Sequence, residues 1–322
     1  MFKILFFAVK VKIFTNIHDF PSQVATVVSV GTFDGLHKGH QAIINRLTAI
    51  AHDNNLASVI VTFDPHPRYA LHKDTEKLKL LFTTEEKMEQ LASYGVDYAC
   101  IINFTKEFSQ IAYEDFIKYY LVDIFGANHI VIGFDHHFGE NRSGNHQTLL
   151  ALKDKYGYKV DEIKALYENN IEISSTKIRA LILDGNIDQA NALLGYKYSL
   201  SGTVVSGTQK GRELGYPTVN LLVGGAGKLV PAQGVYFVRV EIDGNYYYGM
   251  CNIGVKPTFG KQEQTIETHI LDFDKEIYGK KIKISFHSFI RQEQKFENIG
   301  LLKTQLDRDK AIIMKMINEQ RH

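Results

Sequence analysis

Short β-branched runs alternate with helical stretches from Ala25 to about Val160, and beyond Gly195 the helices drop out of the pattern until about Asn298. That change of rhythm constrains the fold more than any other feature of the chain. The first stretch reads ATVVSV, a helix after Lys38, ASVIVTF, a helix from Thr84, DYACII, a helix near Tyr113 to Ile124, and HIVIG. Strands that alternate with helices imply an α/β unit with a mostly parallel sheet covered on both faces. Thr83 and Glu86 have the spacing of a capping box, which predicts a helix start there. The second stretch runs YSLSGTVVSG, YPTVNLLV, GVYFVRVEI, the tight turn DGN, YYYGMCNIG, QTIETHILDF and KIKISFHSFI. Strands joined by hairpins predict a closed antiparallel β-barrel, followed by one C-terminal helix. The boundary falls within residues 186–200, giving domains of 1–190 and 191–322.

The 322 residues fit two domains at about 100–200 residues each. A formal charge of +1, from 37 basic and 36 acidic residues, excludes a protein that coats nucleic acid. The halves differ little: residues 1–200 carry 20 basic and 23 acidic side chains (20 − 23 = −3), and 201–322 carry 17 and 13 (17 − 13 = +4). Histidine is less even, with ten of thirteen in residues 1–150. Cys100 and Cys251 stand far apart in apolar, strand-like surroundings, which predicts a reduced buried pair and a cytoplasmic protein. The opening MFKILFFAVKVKIF holds only six uninterrupted apolar residues, Ile4 to Val9, too few to span a bilayer. Val11 reads as an alternative start, since VKIFTNIHDF already makes a sensible first strand.

The ligand crevice of such a sheet lies at the carboxyl ends of its strands, so the segments after Val30, Thr62 and Ile132 come first. GTFDGLHKGH follows the first clear strand and opens a helix. Gly31 and Gly35 let backbone amides approach an anion, with Phe33 and Asp34 between them. His37 and His40, three apart, fall on one face of the first helical turn, where the dipole also favours negative charge. Two imidazoles there suit the charge that develops on a transferring phosphoryl group. The bland alternative is a glycine turn with two solvent-facing histidines.

HKGH matches the HxGH motif of the nucleotidyltransferase superfamily, and GTFDGLHKGH resembles the form found in bacterial flavin-adenylating enzymes. A second stretch, ISSTKIR, resembles that superfamily's SSTxxR element. The resemblance implies that Ser174, Ser175 and Thr176 hold ATP phosphates, with Arg179 adding charge-assisted contacts. GFDHHFGENRSGN resembles the family's glycine-aromatic loop, in which Asp135 corresponds to a polar contact with ATP or Mg2+. His136 and His137 stand where the family form has Phe-Arg, and Arg142 lies close enough in sequence to replace the missing cation. TFDPHPR also resembles the family and reads as flavin-side wall. The resemblance places flavin near Asp64, His66, Pro67, Asn103 and, in the second domain, Arg291. For His66 a structural role serves equally well.

GTQKGRELGYPTVNL carries Gly207, Lys210, Gly211 and Arg212 ahead of a strand, a candidate phosphate cradle without a Walker sequence. By itself it reads as a surface hairpin. Thr218 and Asn220 are two apart on a strand and so share a face. In TIETHILDF, Glu267 shares one face with His269 and Leu271, while Ile266, Thr268 and Ile270 share the other, and periodicity does not choose which is core. GRxLGYPTxN resembles the bacterial riboflavin kinase domain, and NIGVKPTFG, DFDKEIYGKKI and FIRQEQKF match it too. That resemblance implies Mg2+ on Thr218 and Asn220 and a general base at Glu267.

The chain is thus identified as a member of the bacterial bifunctional riboflavin kinase and FAD synthetase family. The fold implied is a Rossmann-like nucleotidyltransferase domain followed by the barrel. The expected substrates are riboflavin, FMN and ATP, with Mg2+, no nucleic acid, no membrane and at most transient self-association. One rival keeps only the kinase site active, with the first domain a non-catalytic nucleotide or flavin module. Another, of a different class, is a flavin-binding module without turnover.

Overall fold

The structure, a computed structural model, describes residues 11–21, 23–71, 78–207, 210–225, 227–258 and 261–319, apart from the side chains of 210, 256–258 and 261–263. The alternative start concerns residues 1–10, which lie outside the described residues. Contacts divide the chain into two compact units, one ending at Ser175 and the other beginning at Thr176. The pattern-based boundary at 190/191 instead falls inside a helix, Ile187–Leu194.

In the first unit the elements are β1 (Lys12–Phe14), β2 (Thr26–Val30), α1 (Lys38–Asn54), β3 (Ala57–Phe63), α2 (Pro67–Leu71), α3 (Thr84–Ser93) and β4 (Tyr98–Ile102). They are followed by α4 (Tyr113–Asp115), which runs on as a π-helix over Phe116–Ile124, then β5 (Ala127–Gly133), α5 (His146–Tyr156) and β6 (Lys159–Ile163). The six strands form one parallel sheet in the order β1-β4-β3-β2-β5-β6. Every residue of β2 is buried, as expected of a parallel strand covered on both faces. From β2 the chain first builds outward through β3 and β4, then returns to place β5 on the other side of β2. That reversal opens a crevice beyond the carboxyl ends of β2 and β5.

The expected capping box is present: the Thr83 hydroxyl accepts from the Glu86 amide, and the Glu86 carboxylate accepts from the Thr83 amide. Such a cap contributes on the order of 1 kcal/mol and fixes where α3 begins. A hairpin not foreseen from the pattern, β7 (Tyr167–Glu168) and β8 (Ile171–Glu172), turns on Asn169 and Asn170, both at positive φ. It leads into α6 (Ser175–Leu183).

The second unit carries α7 (Ile187–Leu194), β9 (Ser199–Val205), α8 (Lys210–Glu213), β10 (Val219–Val223), β11 (Gly234–Ile242), β12 (Asn245–Thr258), β13 (Lys261–Ile270), β14 (Lys281–Arg291) and α9 (Ile299–Glu319). The strands close into an antiparallel barrel, β10-β13-β12-β11-β14-β9. Asp243 and Gly244, both at positive φ, make the two-residue turn between β11 and β12, as DGN predicts. α7 belongs with the barrel: the Asn191 amide donates to the Phe286 carbonyl at 3.0 Å and accepts from the Tyr198 amide at 2.7 Å.

Register separates the two faces of the barrel wall. Tyr236, Cys251 and Thr268 stand opposite one another and are fully buried. On the other face Phe237 and Met250 form a cluster with Ile313 and Ile317 of α9. Cys100 and Cys251 are buried free thiols, each pushed up to about 12 by burial. No helix among the described residues is long and apolar enough to cross a membrane.

Candidate active sites

The first candidate site gathers at the carboxyl end of the parallel sheet. α1 begins at Lys38, so His37 is its N-cap, not a member of the first turn as the sequence suggested. The His37 Nδ1 accepts a long hydrogen bond of 3.4 Å from the His40 amide. That role places the ring hydrogen of a neutral imidazole on Nε2. The two imidazoles stack with centroids 3.7 Å apart, and Phe33 packs against His40 at 5.3 Å. Gly39 explains the third position of the motif: a Cβ there would lie 3.1 Å from the His37 ring. Gly35, at φ +81°, would place a Cβ 2.6 Å from Leu81.

Asp34, expected at a phosphate, is 2% exposed, and its carboxylate accepts from the amides of Leu81 and Phe82 at 3.1 and 2.9 Å. It braces the loop into α1, a role that suits a carboxylate better than facing an anion. The Asp34 carbonyl accepts from the Ser175 hydroxyl at 2.9 Å. One hydrogen bond thereby joins the glycine loop to the SST element, 141 residues away. Ser174 precedes α6, and Thr176 and Arg179 lie on its first turns. Lys38 pairs with Glu168 of the β7–β8 hairpin at 2.7 Å.

The remaining expected residues follow neighbouring strand ends. Asp64, after β3, accepts from the Thr84 hydroxyl at 2.8 Å. The His66 Nδ1 accepts from the Arg68 amide at 3.2 Å, and Pro67 opens α2, where its missing N–H costs nothing. Asn103 is exposed just after β4. Asp135 follows β5, and its carboxylate lies over Gly133. His136 stacks on Phe138, and burial pushes it down to about 4, so it is neutral at physiological pH. Arg142, offered as a substitute cation, is exposed, and its charge reaches His136.

Sequence reasoning missed Lys87. This lysine on α3 is 6% exposed, and its Nζ donates to the Thr32 carbonyl at 2.7 Å and the Thr62 hydroxyl at 3.0 Å. Burial lowers it to about 8 against the opposing pull of Asp34 and Asp64. The available signal was its position four residues before the core Leu91, on the buried helix face.

The second candidate site lies on the barrel wall. Asn220, Glu267 and Asn252 stand in register across β10, β13 and β12, so their side chains share one face. Ile266, Thr268 and Ile270 are buried, whereas on the other face Glu267 and His269 are half-buried and Leu271 is buried. Gly207 lies directly under the Asn220 amide, 2.0 Å from where a Cβ would stand. Gly211 lets the Tyr216 carbonyl approach its backbone. Asn252, which opens the NIGVKPTFG segment, donates to Glu293 at 3.3 Å.

Thr218 and Arg212 help line a cavity of about 310 Å3, together with Phe273 and Tyr278. Arg212 pairs with Glu276 at 3.2 Å. Lys210 opens α8, and its side chain lies outside the described residues. Arg291, expected against flavin, clasps Asp309 of α9: Nε and Nη2 reach its two oxygens at 2.8–3.0 Å, and Asp309 is fully buried. Gln305 completes the clasp at 2.8 Å.

Two family models match in succession: FAD synthetase over residues 19–177 and riboflavin kinase over 194–317. The chain is 37% identical to a bifunctional riboflavin kinase/FMN adenylyltransferase of Listeria monocytogenes, covering 89% of this chain and 91% of that one. It is 32% identical to the protein of the same name from Escherichia coli K12, covering 92% and 95%. A crystal structure described as a macrolide-efflux protein from Streptococcus pneumoniae superposes with a TM-score of 0.86 at 31% identity, covering 95% of this chain and 99% of that one.

Proposed function

The chain belongs to the bifunctional riboflavin kinase/FMN adenylyltransferase family, and from that premise we propose which residues carry each of its two reactions. It phosphorylates riboflavin with ATP to give FMN, then adenylylates FMN with a second ATP to give FAD and pyrophosphate. The observation that supports our assignment is the separation of the motifs: stacked imidazoles at a helix N-terminus in one unit, an asparagine and a glutamate in register on a barrel wall in the other.

For kinase chemistry, which we assign to residues 191–322, Glu267 takes the proton of the ribityl 5′-hydroxyl and the freed oxygen attacks the γ phosphate of ATP. Gly207, Lys210, Gly211 and Arg212 border the phosphates. Thr218, just before β10, and Asn220, within it, offer two neutral oxygens, hard donors that fit Mg2+ arriving on the nucleotide. When bound, that ion neutralises charge building on the phosphates. Arg291 fastens α9 to β14 and borders the flavin.

For adenylyl transfer, which we assign to residues 1–190, an FMN phosphate oxygen attacks the α phosphate of ATP. The Nε2 hydrogen of His37 and the His40 ring stabilise the charge developing there, together with the first amides of α1 and of the Gly31–Gly35 loop. Ser174, Ser175, Thr176 and Arg179 hold the departing pyrophosphate, and Asp135 contacts ATP. Asp64, His66, Pro67 and Asn103 border the flavin. Two buried free thiols fit a cytoplasmic home.

The test is a two-product assay on the full chain with riboflavin and excess ATP, with and without Mg2+. Both FMN and FAD are expected when Mg2+ is present. FMN without FAD would remove the adenylyl assignment, and undiminished FMN formation in excess chelator would remove Thr218 and Asn220 as ion ligands.

A further inference from the structure

Lys87 is a buried cation that neither proposed reaction uses. It reaches the loop that carries Gly31 to Gly35 from α3, whose start is set by the Thr83–Glu86 box. A buried lysine is disfavoured unless its hydrogens are taken up, and here they go to the last polar groups of two adjacent strands' exits: the Thr32 carbonyl after β2 and the Thr62 hydroxyl of β3. Thr62 in turn donates to the same Thr32 carbonyl at 3.2 Å. Two donors therefore converge on one peptide oxygen in the loop.

The geometry of that peptide gives the contact its meaning. In a trans peptide the carbonyl and the next N–H point to opposite sides, so a Thr32 oxygen held toward Lys87 turns the Phe33 N–H the other way. Phe33 itself is fully buried at φ +47°, a conformation rare outside glycine, which its neighbours must hold in place. We propose that Lys87 is a positioning residue for adenylyl transfer: by gripping the Thr32 carbonyl it aims the loop's amides at the phosphate, and its positive charge favours the anion those amides receive. This inference rests on the assignment of adenylyl transfer to the HKGH site.

The charged groups facing Lys87 are Asp34, from the loop after β2, and Asp64, from the loop after β3. Glu86, its neighbour on α3, is turned to the Thr83 amide. Burial brings Lys87 to about 8, within reach of a rate profile. Because a neutral amine still donates hydrogen bonds, loss of rate above that pH reports the charge and not the packing.

The experiment measures single-turnover FAD formation from supplied FMN and ATP on the full chain from about pH 7 to about 9.5, with FMN formation from riboflavin followed in parallel. The expected rate of FAD formation falls with a midpoint near 8, while FMN formation does not follow it. Lys87→Arg moves that midpoint beyond the measured range. Lys87→Met lowers the turnover about tenfold with KM for FMN little changed. A flat wild-type profile, an unmoved midpoint in Lys87→Arg, or full turnover in Lys87→Met would each overturn the proposal. Should Lys87→Met fail to fold by circular dichroism, the wild-type and Lys87→Arg profiles decide. His40→Ala is the control: if it leaves FAD formation intact, the site assignment itself has failed, whereas its loss beside an unaffected Lys87→Met sinks only this inference.

Discussion

The two candidate sites are built by different devices. In the α/β unit, the candidate groups are held by individual hydrogen bonds around a helix start: His37 to the His40 amide, Asp34 to two amides, Ser175 to a loop carbonyl. On the barrel they are fixed by strand register, which sets Asn220, Glu267 and Asn252 in one row. A site of the first kind depends on a short run of backbone holding its shape. One of the second depends on parity, since a slip of one residue would turn the whole row to the opposite face.

The sharpest way to break the comparison is to silence each site separately. Glu267→Gln is expected to lower FMN formation by on the order of 10³-fold while FAD formation from supplied FMN continues. His40→Ala is expected to do the reverse, by on the order of 10²-fold. Liquid chromatography of the two flavin products checks both, and a variant that lost both activities together would show that the sites are not independent.

Arg291 sharpens the comparison next. If it fastens α9 to the barrel, Arg291→Met leaves Asp309 buried without its partner and destabilises the barrel by about 3–5 kcal/mol, seen as a lowered thermal midpoint. A stable variant with weakened riboflavin binding would leave Arg291 to the flavin alone.

The smallest effect concerns His287, a buried barrel residue whose two ring nitrogens have no hydrogen-bond partner. Burial, aided by the charges of Lys197 and Arg239, pushes it down to about 4. A histidine with a lowered folded-state pKa contributes stability above its unfolded value near 6.5, and that stability is lost as pH falls through about 4. The midpoint of the wild type should therefore drop more steeply below about pH 6.5 than that of His287→Phe, and parallel curves would contradict it.

How much of this could be read from the chain depends on how local the cause is. The Thr83–Glu86 cap, the DGN turn and the HKGH pair rest on residues within a turn of one another, and they are found where the spacing puts them in all but one detail. The exception among them is His37, whose place just outside α1 is a matter of one backbone angle. Glu267 was legible as a candidate, but its face required the pairing with Asn220. Asp34 and Arg291 looked like ligand groups because isolated charges beside a glycine loop or a strand end do; their partners, Leu81 and Phe82 for one and Asp309 for the other, are brought up by tertiary structure alone. Lys87 was hidden for the same reason. A lysine on an amphipathic helix reads as solvated until the carbonyl it serves, 55 residues earlier, is seen beside it.

The hydrogen bond from the His40 amide to the His37 ring has a consequence for descent. In a capping box the first side chain reaches the backbone of the third helical residue, and His37 and His40 occupy those two places. The spacing that pairs the imidazoles is thus the spacing that starts the helix. A residue inserted or deleted between them would unmake the cap and part the rings in the same event, leaving no half-working form from which to recover. Substitutions can wear this motif down one step at a time, but changes of length meet it as a single indivisible unit.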